Sequence, residues 1–411
     1  MVQCKADCKY PCDESEPRRH PTAMEWKYIF SMRNLTIFVA CAVAALVYIV
    51  LDTVDLRNHF KKLSVGEGSN IFLDQNDSSS IHVTAKTTSD IKSLYGRLNV
   101  EDYLQIRSYN SCYSLTDSAS PFAHSEETLL PDVERQHRGC RKRLPDFVII
   151  GAKKCGTGAL TYFLNTHPGI AWAGREIHFF DANYDKGLSW YTQRMPYTTA
   201  KQLVFEKTPK YFVFPHDVPR KMYTDLSPTV KIVLILCDPV RRAVSDFLHE
   251  SLIRSSVGQR METSRIPNHY FLATNFAESV MEKSGNLNYY NELIDTGIYI
   301  KHILRWLEYF PPSQIHAVDA GLFKSDIVSE MQRLEKFLEV PAYFNASHFY
   351  YNSDSEVYCL TFPIKICPSA VHGRTLRTAD EKVLRVLREF YRPYNRHLSK
   401  LLNWKLTWMD G

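Results

Sequence analysis

From Pro145 onward the chain alternates short, unbroken apolar runs with longer stretches in which apolar residues return every three or four positions. The runs PDFVIIGA, QLVFEK, VKIVLILC and QIHAVDA are rich in Val, Ile, Leu and Phe. Strands apolar on both faces, rather than at alternate residues, belong in a parallel sheet covered by helices on either side. The periodicity between them predicts helices over Thr157 to Asn165, Val240 to Arg254, Asn275 to Lys283, Gly297 to Tyr309, Ser325 to Leu338 and Asp380 to Leu402. Strands alternating with helices make the fold class α/β: a central parallel sheet flanked by helices, in one domain over residues 141–411.

Upstream the texture differs. Asn34 to Leu51 (NLTIFVACAVAALVYIVL) carries no charge and ends at Asp52, which reads as one transmembrane helix. The 33-residue leader and the lack of a small-x-small site after the run argue against a cleaved signal peptide. Residues 1–33 are then a cytoplasmic tail, 34–51 the anchor and 52–140 a polar, mostly flexible stem with runs such as GEGSN and DQNDSSS. Lys and Arg flanking the span, four before (Arg18, Arg19, Lys27, Arg33) and three after (Arg57, Lys61, Lys62), orient it only slightly.

Charge and cysteine refine this picture. Residues 1–140 hold 15 Lys/Arg and 18 Asp/Glu, a balance of −3, whereas 141–411 hold 35 and 27, a balance of +8. A basic domain suits an anionic partner, although a solvated basic surface produces the same count. Of ten cysteines, Cys359 and Cys367 are close enough to close a short loop in an oxidising lumen, and Asn76-Asp-Ser and Asn345-Ala-Ser are glycosylation acceptors on the same side. Cys4, Cys8 and Cys12 have no His partner at finger spacing, so no metal site is predicted.

The first predicted strand runs into Gly151-Ala-Lys-Lys-Cys-Gly-Thr157 and then a helix. A glycine-bearing turn between strand and helix lets backbone N–H groups and the positive helix end converge on a phosphate, with Lys154 adding a point charge. It is not a Walker A loop, because Gly156 separates the lysines from Thr157, and no acidic residue directly ends VKIVLILC. An ordinary strand-to-helix turn is the plainer alternative.

GAKKCGTGAL, followed in order by THP, REIHFFD, GLSWY, EKTPKYF, ILCDPVRRAVSDF, YCL with a later Cys, and HGR, resembles the Golgi heparan sulfate glucosamine 3-O-sulfotransferases. The resemblance covers about Leu144 to Trp404. It implies a P-loop-like sulfotransferase fold, a single-pass type II Golgi protein with a lumenal catalytic domain, and 3′-phosphoadenosine 5′-phosphosulfate (PAPS) as co-substrate. It also implies heparan sulfate or heparin chains as acceptor, a membrane contact through one span, and no nucleic-acid partner. By the same resemblance Glu176 is the general base, His178 and Asp181 orient it, and Lys154 and Lys207 attend the transferred sulfuryl group. The donor would be held by Lys153, Lys154, Cys155, Gly156, Thr157 and Gly158 of the loop, by Cys237 and Ser245 after the VKIVLILC strand, and by His372, Gly373 and Arg374.

The pattern is broken at three positions. Cys237 stands where an arginine precedes Asp-Pro, Gly158 where an arginine follows the loop threonine, and His372 where a lysine precedes Gly-Arg. Each replaces a cation, so the sequence predicts weakened donor binding; where Arg241 does not substitute locally, Cys237→Arg is expected to be a gain of function. The rival reading is a non-catalytic heparan sulfate binder with a degenerate donor site, or a sulfotransferase of other regiochemistry. Arg175, Lys186, Lys210, Arg374 and Arg377 are candidates for a basic rim along the acceptor cleft.

Overall fold

A computed structural model describes residues 100–114, 128–257, 275–363, 365, 367, 379–404 and 406–410. The expected span at Asn34 to Leu51 lies outside the described residues, as do His372, Gly373, Arg374 and Arg377. Among the described residues no helix is long and apolar enough to cross a membrane.

Five parallel strands form the central sheet in the order β2-β3-β1-β4-β5: β1 Phe147–Gly151, β2 Ile170–Trp172, β3 Leu203–Lys207, β4 Lys231–Leu236 and β5 Ile315–Asp319. All of β1 and residues 232–236 of β4 are buried, as the unbroken apolar runs require of strands covered on both faces. A small antiparallel pair, β6 Phe349–Asn352 with β7 Val357–Leu360, stands apart from it.

The helices used below are α1 Val100–Asn110, α2 Thr157–Leu164, α3 Phe179–Ala182, α4 Gly187–Gln193, α5 Pro239–Val257, α6 Phe276–Val280, α7 Tyr299–Leu307, α8 Ile327–Leu338 and α9 Glu381–Leu402. Each predicted helix is present, with the 275–283 segment shorter than expected. Side chains explain where several begin: Asn275, Asp326 and Asp380 each accept a backbone N–H of the first turn they precede. The face of α9 bearing Val383, Leu384, Leu387 and Tyr391 packs with α5 and α6 in a second apolar cluster beside the main core.

One expectation is corrected. The stem, predicted to run through residue 140, is part of the folded unit from α1 onward. Tyr103 is wholly buried in the main core and donates to the Thr166 carbonyl at 2.8 Å. Cys112 is joined to Cys140, and residues 111 and 141 each bridge to Thr198. The buried face of α1 carries Arg107 and Asn110 beside Tyr103, so it shows no apolar period that would tell it from a stem; only the tertiary contacts distinguish it.

The sheet order determines where a site can form. The chain leaves β1 toward β2 and β3 on one side and reaches β4 and β5 on the other, so a crevice opens at the carboxyl ends of the strands beside β1. The β1–α2 loop, the segment after β2, Lys207 at the end of β3 and Cys237 after β4 are all at those ends.

Candidate active site

Lys207 is the last residue of β3, in register with Ile149 of β1, and its Nζ lies 2.5 Å from Glu176 Oε1. The other carboxylate oxygen, Oε2, is 3.3 Å from His178 Nε2, and His178 Nδ1 is 2.9 Å from Asp181 Oδ2. Four charged side chains therefore form one chain, Lys207–Glu176–His178–Asp181. Side chains two residues apart in an extended segment share one side, which is the simplest way for Glu176 and His178 to meet. They do meet, but through a turn: His178 has φ 52°, a left-handed conformation, at the start of α3, which carries Asp181. Asn183 holds this turn by donating to the carbonyls of Ile177 and His178.

The electrostatics follow from the pairing. Burial pushes the Glu176 carboxyl up, but the hydrogen bond from His178 and the Lys207 ammonium outweigh it, and the group falls to about 2. Hydrogen bonds to Asp181 and Glu176 overcome the burial of His178 and raise it to about 9. At neutral pH Glu176 is therefore a carboxylate and His178 an imidazolium.

The loop between β1 and α2 is shaped by its glycines. A Cβ at Gly151 would stand 2.7 Å from Phe212 Cβ and 3.0 Å from the Pro209 carbonyl, so only glycine fits there. Gly156, at φ 107°, precedes the first turn of α2, whose leading N–H groups have no partner within the helix. Lys153 turns away, paired with Asp246 at 2.8 Å and Glu250 at 2.7 Å on α5. Lys154 has no ion-pair partner among the described residues, and burial, the first of its influences, lowers its pKa. It is the loop cation left to meet an anion.

Cys155 and Cys237 are joined in a disulfide, so neither supplies a thiol to a ligand. The side chain after β4 is thus committed to a covalent tie to the β1–α2 loop. Tyr299 of α7 covers the tie, its hydroxyl 3.3 Å from Cys155 Sγ and donating to the Cys237 carbonyl at 2.9 Å. Cys359 and Cys367 are also bonded, as predicted.

Residues 144–371 match the sulfotransferase domain family. Over 291 residues the chain is 34% identical to human (Homo sapiens) heparan sulfate glucosamine 3-O-sulfotransferase 5, covering 70% of this chain and 78% of that protein. It is 35% identical over 274 residues to human heparan sulfate glucosamine 3-O-sulfotransferase 3A1, covering 66% and 63%. The chain belongs to the heparan sulfate glucosamine 3-O-sulfotransferase family. It is a sulfotransferase enzyme. A solved sulfotransferase from Alicyclobacillus acidocaldarius is 22% identical, with 65% of this chain and 99% of that one covered and a TM-score of 0.46.

Of the residues predicted for this sulfotransferase, Glu176, His178, Asp181 and Lys207 are brought together, and Lys153, Lys154, Gly156 and Thr157 line the loop beside β1. Gly158 is exposed on α2 with nothing within 4 Å of a Cβ. Ser245 is half-buried on α5, next to Asp246, which anchors Lys153. Arg242 of the same helix is wholly buried and ion-paired with Asp246 at 2.9 Å, so it braces the fold rather than facing a ligand; Arg241 is exposed. Two residues the sequence reading passed over are Trp190 and Arg194, which line a cleft of about 330 Å³ with Arg175, Glu176, His178 and Asn183. Arg194 lies 4.5 Å and Lys186 4.6 Å from the Trp190 ring. The four-residue periodicity of Lys186, Trp190 and Arg194 was the available signal.

Proposed function

We propose that this sulfotransferase moves the sulfuryl group of PAPS to the 3-hydroxyl of a glucosamine in heparan sulfate, with Glu176 as general base. The observation that carries the reading is the Lys207–Glu176–His178–Asp181 chain at the carboxyl ends of the strands; the names of the relatives support the acceptor and its position. The residues suited to the donor are Lys154 and the leading N–H groups of α2, with Ser245 on the facing helix.

The geometry suggests how the base is switched on. A carboxyl at about 2 is a weak base at neutral pH, and Lys207 is one of the groups that holds it there. When the Lys207 ammonium turns to a sulfuryl oxygen, Glu176 loses an ion pair and becomes more basic as the reaction begins. It then takes the hydroxyl proton while the sugar oxygen forms its bond to sulfur. The S–O bond to the phosphate breaks, and Lys154 offsets the charge left on that oxygen. His178, still an imidazolium held by Asp181, keeps Glu176 aimed.

We also place the protein in the Golgi membrane as a single-pass type II enzyme. The 18 uncharged residues at Asn34 to Leu51 support the anchor, and the bonding of all six cysteines beyond it supports an oxidising lumen. The test is sulfate transfer from labelled PAPS to defined heparan oligosaccharides with the product position mapped. Glu176→Gln should lower kcat at least ~10²-fold with donor affinity kept. Sulfate found at another hydroxyl would overturn the regiochemistry, and a variant retaining a tenth of the parent rate would overturn the base.

A further inference from the structure

Behind the cluster lies a carboxylate that the proposed mechanism does not use. Glu206 precedes Lys207 on β3, so its side chain leaves the opposite face of the strand, and it is completely buried. Tyr191 of α4 donates to its Oε1 at 3.0 Å and Thr208 to its Oε2 at 2.8 Å; the Tyr211 hydroxyl stands beside it and favours its charged form. Two of these hydroxyls also look outward. Thr208 Oγ1 accepts the His178 N–H at 3.3 Å, and Tyr211 Oη accepts the N–H groups of Phe179 and Phe180 at 2.7 and 3.2 Å.

Those three N–H groups form the amino end of α3, which has no side-chain cap of its own. A hydroxyl has one proton, and an oxygen already accepting N–H groups must send that proton elsewhere. Here the receiver is Glu206, which when ionised only accepts. The carboxylate thus orients the hydroxyls, the hydroxyls cap α3, and α3 presents Asp181 to His178. Burial pushes the Glu206 carboxyl up to about 7, against the hydrogen bonds from Thr208 and Tyr191, the Tyr211 hydroxyl and the charge of His178.

We propose that Glu206, acting through Thr208 and Tyr211, is a positioning residue for sulfuryl transfer: it fixes the left-handed turn at His178 and thereby the aim of Glu176. This rests on the catalytic reading of Glu176 given above. The test compares Glu206→Gln, Thr208→Val and Thr208→Ser with the parent enzyme for kcat, donor KM and the titration of the His178 imidazole followed by NMR, its signal assigned with His178→Gln. Glu206→Gln and Thr208→Val should lower kcat at least ~10-fold with donor KM within about twofold, as expected when a reacting group is misaimed without loss of substrate binding. Thr208→Ser, which keeps the hydroxyl, should restore the rate to within about threefold of the parent. The His178 titration should fall from about 9 toward ordinary values in the first two variants only. Should Glu206→Gln fail to fold, the threonine pair decides. Equal losses in Thr208→Ser and Thr208→Val, or an unmoved His178 titration, would overturn the proposal. A parent enzyme that transfers no sulfate would sink the catalytic reading, leaving the His178 titration to judge the relay by itself.

Discussion

At the residue scale the meeting of Glu176, His178 and Asp181 was largely legible, because the three sit within six residues of one another in REIHFFD. What could not be read was the charge state each imposes on the others, which depends on Lys207 arriving from another strand. Gly158 shows the converse case, a departure whose consequence the structure now bounds. It is the second residue of α2, exposed, with open space around a Cβ, so a long side chain meets no obstruction there. An arginine at the leading turn of a helix beside the loop would add a charge-assisted hydrogen bond to a phosphate or sulfate oxygen, a contribution of about 1.5–3 kcal/mol. Gly158→Arg should therefore lower the donor KM by about a decade and tighten adenosine 3′,5′-bisphosphate in calorimetry. Gly158→Ala is the control: it should add about 0.5–1 kcal/mol of stability by removing a glycine from the helix, with donor KM unchanged. If the two variants bind donor alike, no anion comes within reach of this turn.

At the element scale, β1, β3 and β4 announced themselves as apolar runs and β5 more weakly, its run being broken by His316, whereas β2 is three residues long within THPGIAWAG and α3 a single turn, both too short to show a period. The Cys155–Cys237 pairing was hidden for a different reason. Its partners are 82 residues apart, and only the adjacency of β1 and β4, with Gly151 opposite Leu234, brings the two turns together. Cys237→Arg would therefore break this bond as well as place a cation after β4. Cross-linking a loop of this length constrains the unfolded chain by about 4 kcal/mol in the entropic picture. The double variant Cys155→Ala, Cys237→Ala should lower the thermal midpoint by about 10 °C. Because the bond ties down the loop that bears Lys154, donor KM should rise several-fold while acceptor KM holds. Thermal scans and donor titrations of the non-reduced enzyme check both; a midpoint and donor KM equal to the parent's would show that strand packing alone fixes the loop.

At the scale of the whole molecule, the folded unit begins earlier than the change in sequence texture indicates. Tyr103 of α1 stacks on Tyr343 at 5.8 Å, meets Phe362 edge-on at 5.4 Å and bonds to the Thr166 carbonyl just beyond α2. Arg107, also buried, reaches the Tyr103 hydroxyl at 3.1 Å and the His167 carbonyl at 3.4 Å, while Thr199 donates to the Asn110 carbonyl at 2.8 Å. The first of these contacts brace the carboxyl end of α2, the helix whose other end follows the loop around Lys154, so α1 supports that loop from outside the motifs that carry the resemblance. A fragment starting at residue 141 would expose the pocket that Tyr103 fills, take Tyr103 from the Thr166 carbonyl and Arg107 from the His167 carbonyl, and lose the Cys112–Cys140 bond. Removing one large buried aromatic side chain alone costs about 3–5 kcal/mol, a large part of a domain's margin of stability. Fragments beginning at residues 95 and 141 should therefore differ sharply when secreted: the longer should accumulate with its cysteines bonded and melt cooperatively, the shorter should be retained or aggregate. Tyr103→Ala in the longer fragment should fall between them, with a midpoint lowered by about 10 °C. A fragment from residue 141 that is secreted and melts with the longer one would show that the catalytic fold closes without α1.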